Sequence, residues 1–231
     1  IYRIVPDTAA WQRRNRVALG SASTAELVAT LAHPNGWHRD TASRLLYERQ
    51  DAAAVPLLAQ LARESKSSLA RHHALGALDG LGRLDESVIT QALADADAHV
   101  RERAVVLAEK LFVGQAAQST LAPKVAALAT DAVDRVRFQV ALSAESMLAA
   151  QGITTAARGV LAEACGKIAR CDYAQGWISS ALLSGPAAVV GGELFALVAA
   201  DPTFARQAEA FTARLIEIRA ATKPAEIGRA H

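Results

Sequence analysis

The sequence is poor in the residues that most often build enclosed sites. Only 5% of its 231 residues are aromatic, whereas 52% are hydrophobic, so alanine and leucine have to fill the interior. Small side chains allow helices to pack closely in layers and do little to enclose a ligand cavity. Only two cysteines are present, Cys165 and Cys171, which excludes a framework of several disulfides and a thiolate metal cluster.

The sequence also lacks an excess of one charge and a long apolar run. The formal net charge is +2, with 14 basic and 13 acidic residues in 1–116, and 11 and 10 in 117–231. Neither half is therefore a basic arm or an acidic tail. No run of 18 apolar residues and no signal-peptide pattern is present, so we expect a soluble segment of a longer chain that does not contact a membrane.

The sequence does contain a pattern that returns every thirty-odd residues: an arginine, two residues, and an alanine within an Ala/Leu-rich stretch. It occurs at Arg39, Arg71 and Arg101, and more loosely at Arg137. Helical hydrophobic spacing on both sides of a turn, repeated at this period, is typical of a helical solenoid, in which each helix pair buries its apolar face by stacking on its neighbours. The sequence therefore predicts an all-α superhelix of about six helix pairs.

The repeat predicts where these helices lie. Ser23 and Glu26 form a capping-box pattern at the start of the first helix. Units five and six, near 153–184 and 186–221, fit poorly, because Ser179 stands where the register requires an arginine; irregular terminal units are typical caps. The helix pairs of the first four units are predicted at 23–32 and 37–48, 53–64 and 68–82, 86–94 and 98–112, and 120–130 and 134–149.

Charged residues of the repeat predict a ladder between units. Asp95 and Asp131 each stand six residues before a repeat arginine. We expect each aspartate to cap the second helix of its unit and each arginine to pair sideways with the next unit. The predicted ladder consists of Arg39, Arg71, Asp95, Arg101, Asp131 and Arg137.

Five histidines gather around the starts of the predicted second helices. Stacked imidazoles could bind a metal or a partner. In the structural interpretation, His33 is a turn or cap residue, Trp37 is a wedge between units, and Arg39 belongs to the ladder. We predict no metal site and no cofactor, and the candidate partner-binding residues are Trp37, His38, His72, His73 and His99.

An aspartate in the turn and a Val-Arg dipeptide at the start of the inner helix, as at Val100-Arg101 and Val136-Arg137, resemble the HEAT family of armadillo-like solenoids. The resemblance covers about residues 23–149. It implies a HEAT-type scaffold whose groove, lined by second helices, could hold a protein partner.

A second resemblance covers most of the chain. The opening Ile-Tyr-Arg-Ile-Val-Pro, the run from His33 to Ala42, and Ala70-Arg-His-His-Ala-Leu75 look like the middle of large planctomycete-type secreted proteins. Those proteins carry a sugar-dehydrogenase-like β-propeller, HEAT repeats and a C-terminal cytochrome c module. The resemblance implies a periplasmic or otherwise extracytoplasmic location, with the adjacent modules as partners. It divides the chain into a propeller-end strand and linker (1–22), a helical repeat domain (23–221) and a tail (222–231).

The chemistry of such a parent is not carried by this segment. Covalent haem attachment needs Cys-x-x-Cys-His, and no histidine follows Cys171. On a continuous helix Cys165 and Cys171 lie too far apart for a disulfide, although a turn near residues 169–170 would allow a small loop to close. We therefore expect free or loosely paired thiols without a catalytic role.

Enzyme classes that share the repeat are excluded in turn. The HEAT-like di-iron hydroxylases need His-Glu pairs, and no histidine here precedes a glutamate. No nucleophile elbow or phosphate loop is present. Arginine is suited to phosphate contacts, but acidic residues are interleaved almost one for one, so the HEAT-like DNA glycosylase function and nucleic-acid binding are disfavoured.

The resulting hypothesis is a non-catalytic scaffold that spaces a dehydrogenase-like propeller and a cytochrome module. The alternative is a groove that binds a peptide, a polysaccharide or nucleic acid. A patch of one charge sign or of exposed aromatic residues along the second helices would favour the alternative, and scattered Ala, Glu and Arg would favour the spacer.

Overall fold

The protein is described here from a computed structural model, which covers residues 18–185 and 190–222. Over those two ranges the chain is helical and contains no strand, so the predicted all-α solenoid is confirmed. The predicted strand at residues 1–6 and nearly all of the predicted tail, residues 223–231, lie outside the described residues.

Five helix pairs form the described part of the stack up to residue 183. A 3-10 turn, Leu19–Ser21, precedes them, where the sequence predicted an extended linker. The first helices of the pairs are α1 (Thr24–Thr30), α3 (Ala54–Glu64), α5 (Glu86–Leu93), α7 (Leu121–Ala127) and α9 (Thr155–Asp172). The second helices are α2 (Gly36–Arg49), α4 (Ser68–Gly80), α6 (Ala98–Gln115), α8 (Asp134–Leu148) and α10 (Gly176–Leu183).

The chain after α10 departs from the repeat. Instead of a sixth helix pair at 186–221, a π-helical turn at Val190–Leu194 continues into three helices. Gly191 and Gly192 fall within this turn. Asp201 then caps a new helix whose first residue is Pro202, a position that proline favours. The three helices are α11 (Phe195–Ala199), α12 (Pro202–Gln207) and α13 (Glu209–Thr222).

Short polar side chains determine where most of these helices begin. The predicted capping box is present: Ser23 Oγ accepts the Glu26 N–H, and Glu26 Oε2 accepts the Ser23 N–H at 2.7 Å. These bonds satisfy N–H groups that a helix leaves unpaired at its start. Other helices are capped in the simpler way by Asn35, Ser67, Asp85, Asp97, Thr154 and Asp201.

The helices form two layers with the core between them. Each first helix packs on the first helix of the next pair, and each second helix does the same in the other layer. The alanine of the repeated pattern is fully buried in Ala42, Ala74 and Ala104, and Val140 replaces it in unit four. A small side chain at this place lets neighbouring helices approach closely, which explains the alanine in the pattern.

Within the described residues, no helix has the combination of length and apolar character that a bilayer crossing requires.

Candidate functional site

Three arginines of the repeat connect consecutive units. Each donates from Nε and Nη2 to both carboxylate oxygens of an aspartate in the next unit, at 2.6–2.9 Å. Each also donates from Nη1 to the carbonyl oxygen six residues earlier, at 2.7 Å. Planar, bidentate geometry of this kind is the strongest form of ion pair in proteins. We call these pairs the ladder: Arg71–Asp95, Arg101–Asp131 and Arg137–Asp172.

The ladder is largely buried, and its Arg101–Asp131 pair is held in the charged form. The side chains of Arg101 and Asp131 are 14% and 7% exposed. Desolvation acts to raise the pKa of Asp131, but hydrogen bonds from Arg101 and from the Val133 N–H lower that pKa more. The hydrogen bond to the aspartate raises the pKa of Arg101, as it does for Arg71 and Arg137. The charges are thus compensated in place.

Two details of the predicted ladder differ in the structure. The aspartates do not cap the second helices, because the capping position of α6 and of α8 lies two residues after the aspartate. Asp95 accepts the N–H of Asp97, and Asp97 is the cap of α6. Asp131 accepts the N–H of Val133, and α8 has no side-chain cap. The sequence analysis also missed Asp172, at the end of α9.

The first predicted member of the ladder has no acidic partner. Arg39 Nε donates to His73 Nε2 at 3.1 Å, and its Nη1 donates to the carbonyl oxygens of His33 and Pro34. Ser65 occupies the place, six residues before Arg71, that Asp95 and Asp131 occupy before the following arginines. The ladder therefore begins at unit two.

A row of exposed side chains runs along the starts of the second helices. At the position two residues before the repeat arginine, the side chain is exposed in every unit; Trp37 is 58% exposed, and Trp177, whose ring also lies 4.6 Å from that of Phe138 on α8, is 43% exposed. The prediction that Trp37 is a wedge between units is wrong, because its side chain is mostly exposed and its ring lies against His38 of the same helix. We call this the edge row: Trp37, Leu69, His99, Arg135 and Trp177.

The candidate partner-binding histidines fall into two groups. His38 stacks on His33 with ring centroids 4.0 Å apart, and the Trp37 ring lies edge-on to His38 at 5.2 Å. His72 and His73 are edge-on at 5.8 Å, and both line a cavity of about 290 Å³ with His99. Arg39 connects the two groups, because it donates to the carbonyl oxygen of His33 and to Nε2 of His73.

A second cavity, of about 310 Å³, adjoins the first on the same face. It shares His72 and His73 with the first cavity. Desolvation lowers the pKa of both imidazoles, and the nearby charge of Arg103 lowers both pKa values further. These imidazoles are therefore neutral at pH 7. The cavity is lined by Asp40, Ser43, His72, His73, Gly76 and Arg103.

The sequence analysis missed four members of this cavity, Asp40, Ser43, Gly76 and Arg103. A signal was available for one of them. Counted from the repeat arginine, Arg103 occupies the same place as His73, two residues later, so both belong to one row along the second helices.

A buried acidic group lies between α8, α9 and the π-helical turn. Glu145 is 3% exposed, and neither of its carboxylate oxygens has a hydrogen-bond partner among the described residues. Desolvation, with repulsion from Glu193, raises the pKa of Glu145 to about 8. Glu193 accepts a hydrogen bond from Arg158 at 2.6 Å through Oε1, while its Oε2 is buried without a partner.

The two cysteine thiols lie on one helix next to this acidic group. Both cysteines are free, Cys165 buried and Cys171 exposed, on the uninterrupted helix α9. Burial, with the charges of Glu145 and Glu193, raises the pKa of the Cys165 thiol, so it is a poor nucleophile. No group of three or more His, Cys, Asp or Glu side chains in 18–185 and 190–222 could hold a metal ion.

Comparison with known proteins leaves the chain without a family assignment: no family model matches it, and no curated protein matches it.

Proposed function

We propose that this chain is a non-catalytic, HEAT-type scaffold that holds flanking modules at a defined spacing and binds a protein partner along its second helices. The observation that carries the proposal is the ladder. Each ladder arginine binds its own turn through Nη1 and the next unit through Nε and Nη2, so a largely buried ion pair crosses each of three consecutive junctions. Such pairs resist sliding of one unit on the next.

The identity of the flanking modules rests on the resemblance of the sequence to secreted proteins of the planctomycete type. In that arrangement, a dehydrogenase-like propeller would precede the solenoid and a cytochrome c module would follow it, in an extracytoplasmic compartment. The chain described here would contribute distance and orientation to electron transfer and no chemistry of its own.

The scaffold proposal predicts that the stack of units is stiff, and this stiffness can be measured. Spin labels at Arg44→Cys and Glu163→Cys, in a Cys171→Ser background, would report the distance from unit one to unit five; both label positions are exposed. We expect one narrow distance distribution, and a clearly broader one when Arg101→Leu and Asp131→Leu remove one ion pair. An equally broad distribution in the parent chain would contradict the scaffold, as would turnover of a substrate by this chain alone.

A groove-binding module is the second candidate, and the exposed aromatic side chains of the edge row favour it. Trp37 and Trp177 lie at the two ends of the row, where they could stack on an extended partner. A peptide is favoured over nucleic acid because two cations of the second helices are already paired: Arg135 bonds Glu102 at 2.6 Å, and Lys110 bonds Asp79 at 2.6 Å. Titration with duplex DNA at several salt concentrations tests this order, since tight binding that weakens steeply with salt would reverse it.

A further inference from the structure

The 310 Å³ cavity on the second helices brings together side chains from three successive units. Asp40 and Ser43 come from α2, His72 and His73 from α4, and Arg103 from α6. A ligand seated there would contact three repeats at once, which a site within a single helix pair cannot offer.

Arg103 is the cationic group of this cavity, and it has no counter-ion among the described residues. Its Nε is buried without a hydrogen-bond partner, and no carboxylate among the described residues forms an ion pair with its guanidinium. Gly76 provides the floor: a Cβ there would come within 3.5 Å of Arg103 Nη2. Arg101, two residues earlier on the same helix, has a bidentate partner in Asp131. Arg103, unlike Arg101, can therefore donate hydrogen bonds to an oxyanion of a ligand.

His73 adds an uncharged donor whose tautomer is determined by its neighbour. Because Arg39 Nε donates to His73 Nε2, the imidazole proton resides on Nδ1. The ring thus presents an N–H group, and Ser43 adds a hydroxyl to the same cavity. Within residues 18–185 and 190–222, Arg39 itself has no carboxylate partner, so Arg39 and Arg103 both lack a counter-ion there.

Asp40 opposes an incoming anion and limits its affinity. Its carboxylate lines the cavity but makes no ion pair with Arg103. A site with one arginine, neutral imidazoles and an acidic rim attracts a single carboxylate more readily than a doubly charged phosphate, because repulsion from the rim grows with the charge of the ligand.

The surroundings of the cavity indicate a protein segment as the source of that carboxylate. The adjoining 290 Å³ cavity shares His72 and His73 and extends the groove to Leu69, which is 41% exposed. The aspartate of that cavity, Asp97, is already engaged as the cap of α6. A chain leaving the first cavity could therefore lay apolar side chains on the second.

We propose that the cavity formed by α2, α4 and α6 binds a carboxylate side chain of an acidic segment in a protein partner, with Arg103 as its charged donor. This names the partner chemistry of the proposed scaffold and so rests on that function.

The test uses calorimetric titration of the whole chain with acetyl-hexaglutamate amide, and with acetyl-hexaglutamine amide as the uncharged control. We expect the acidic peptide to bind and the uncharged one not to bind. Arg103→Gln should weaken binding at least about tenfold, because it removes the charged donor. Asp40→Asn should tighten binding about threefold or more. Arg44→Gln removes an equal charge from an exposed pair on α2 and should leave affinity within about twofold.

Three results would overturn the assignment: no binding by the acidic peptide, equal affinity in the Arg103→Gln variant, or displacement of the peptide by inorganic phosphate at lower concentration. Thermal unfolding of each variant shows that the fold is retained. None of these results affects the spin-label distances, which are measured without a partner, so failure of the cavity assignment and failure of the scaffold can be told apart.

Discussion

The junctions between units two to five and the place where α8, α9 and the π-helical turn meet differ in how buried charge is compensated. In the repeat units, each largely buried arginine of the ladder meets an aspartate supplied by the next unit. Where α8, α9 and the π-helical turn meet, Glu145 is buried and Glu193, whose side chain is 28% exposed, lies close to it; among the described residues, Arg158 bonds only one of their four oxygens. A repeated register supplies a counter-ion at each junction from unit two to unit five, and this supply ends where Ser179 replaces the arginine.

The two regions also respond to pH in opposite directions. Asp131 has a lowered pKa, so its stabilising effect is present above its ordinary pKa of 3.8 and is lost as the pH falls through the lower folded value. Glu145 has a pKa raised from 4.5 to about 8, so the folded chain holds a proton that the unfolded chain releases between those values. Its contribution to stability therefore declines as the pH rises.

The largest expected effect is that of breaking the ladder. Arg101→Ala leaves Asp131 buried without its partner and should lower the free energy of unfolding by about 3–4 kcal/mol. Urea unfolding at neutral pH measures this loss. The matched control, Arg44→Ala, breaks the exposed Arg44–Glu48 pair and should cost about 0.5 kcal/mol or less. A loss of equal size in both variants would show that a ladder pair stabilises the chain no more than an exposed ion pair does.

The second prediction concerns the pH dependence that the buried Glu145 produces. In the parent chain, the free energy of unfolding should fall by about 2–3 kcal/mol between about pH 6 and about pH 9, because ionising the buried carboxyl costs free energy in the folded state. Glu145→Gln should abolish that part of the pH dependence, whereas Glu163→Gln, at an exposed position on α9, should not. A slope unchanged by Glu145→Gln would contradict a raised pKa at this site.

Packing around the same carboxylate gives a smaller effect. A Cβ on Gly185 would overlap Glu145 Oε2, so Gly185→Ala should destabilise the chain by about 1–2 kcal/mol. In a Glu145→Ala background the space is free, and the penalty should disappear; thermal unfolding of the four chains in this cycle measures the coupling. Additive effects would mean that the two groups do not touch.

The smallest expected effect on stability is at Arg103, although it lies two residues from Arg101. Arg103→Gln breaks no ion pair and should change the free energy of unfolding by about 0.5 kcal/mol or less. The same substitution should raise the pKa of His72 and His73, because it removes a positive charge that lowers both. Imidazole resonances followed by NMR titration measure these values, and an unchanged pKa at both histidines would place the guanidinium away from the cavity.

The sequence was sufficient to predict features that depend on local order. The capping box at Ser23, the helix pairs of the first four units and the sideways pairing of Arg101 all follow from short-range spacing repeated at a fixed period. Trp37 could not be placed in the same way, since whether a first-turn side chain faces a neighbouring unit or solvent depends on how adjacent helices are rotated.

The members of the candidate site were predictable only in part. His72, His73 and His99 were identified by their place in the repeat, and the same register assigned Arg101 to the ladder, but nothing in the sequence shows that Arg103 is left without a counter-ion among the described residues. Asp131, which pairs with Arg101 and not with Arg103, lies more than 25 residues from both arginines in the chain.

Repetition in the sequence thus determined the all-α stack, because a helix pair with one apolar face can bury it only against a copy of itself. Tertiary structure decided which charges are compensated, which are left open at the cavity of Arg103, and which are buried unpaired at Glu145. These outcomes depend on distances between units, and distances between residues far apart in the chain exist only once the helices have packed.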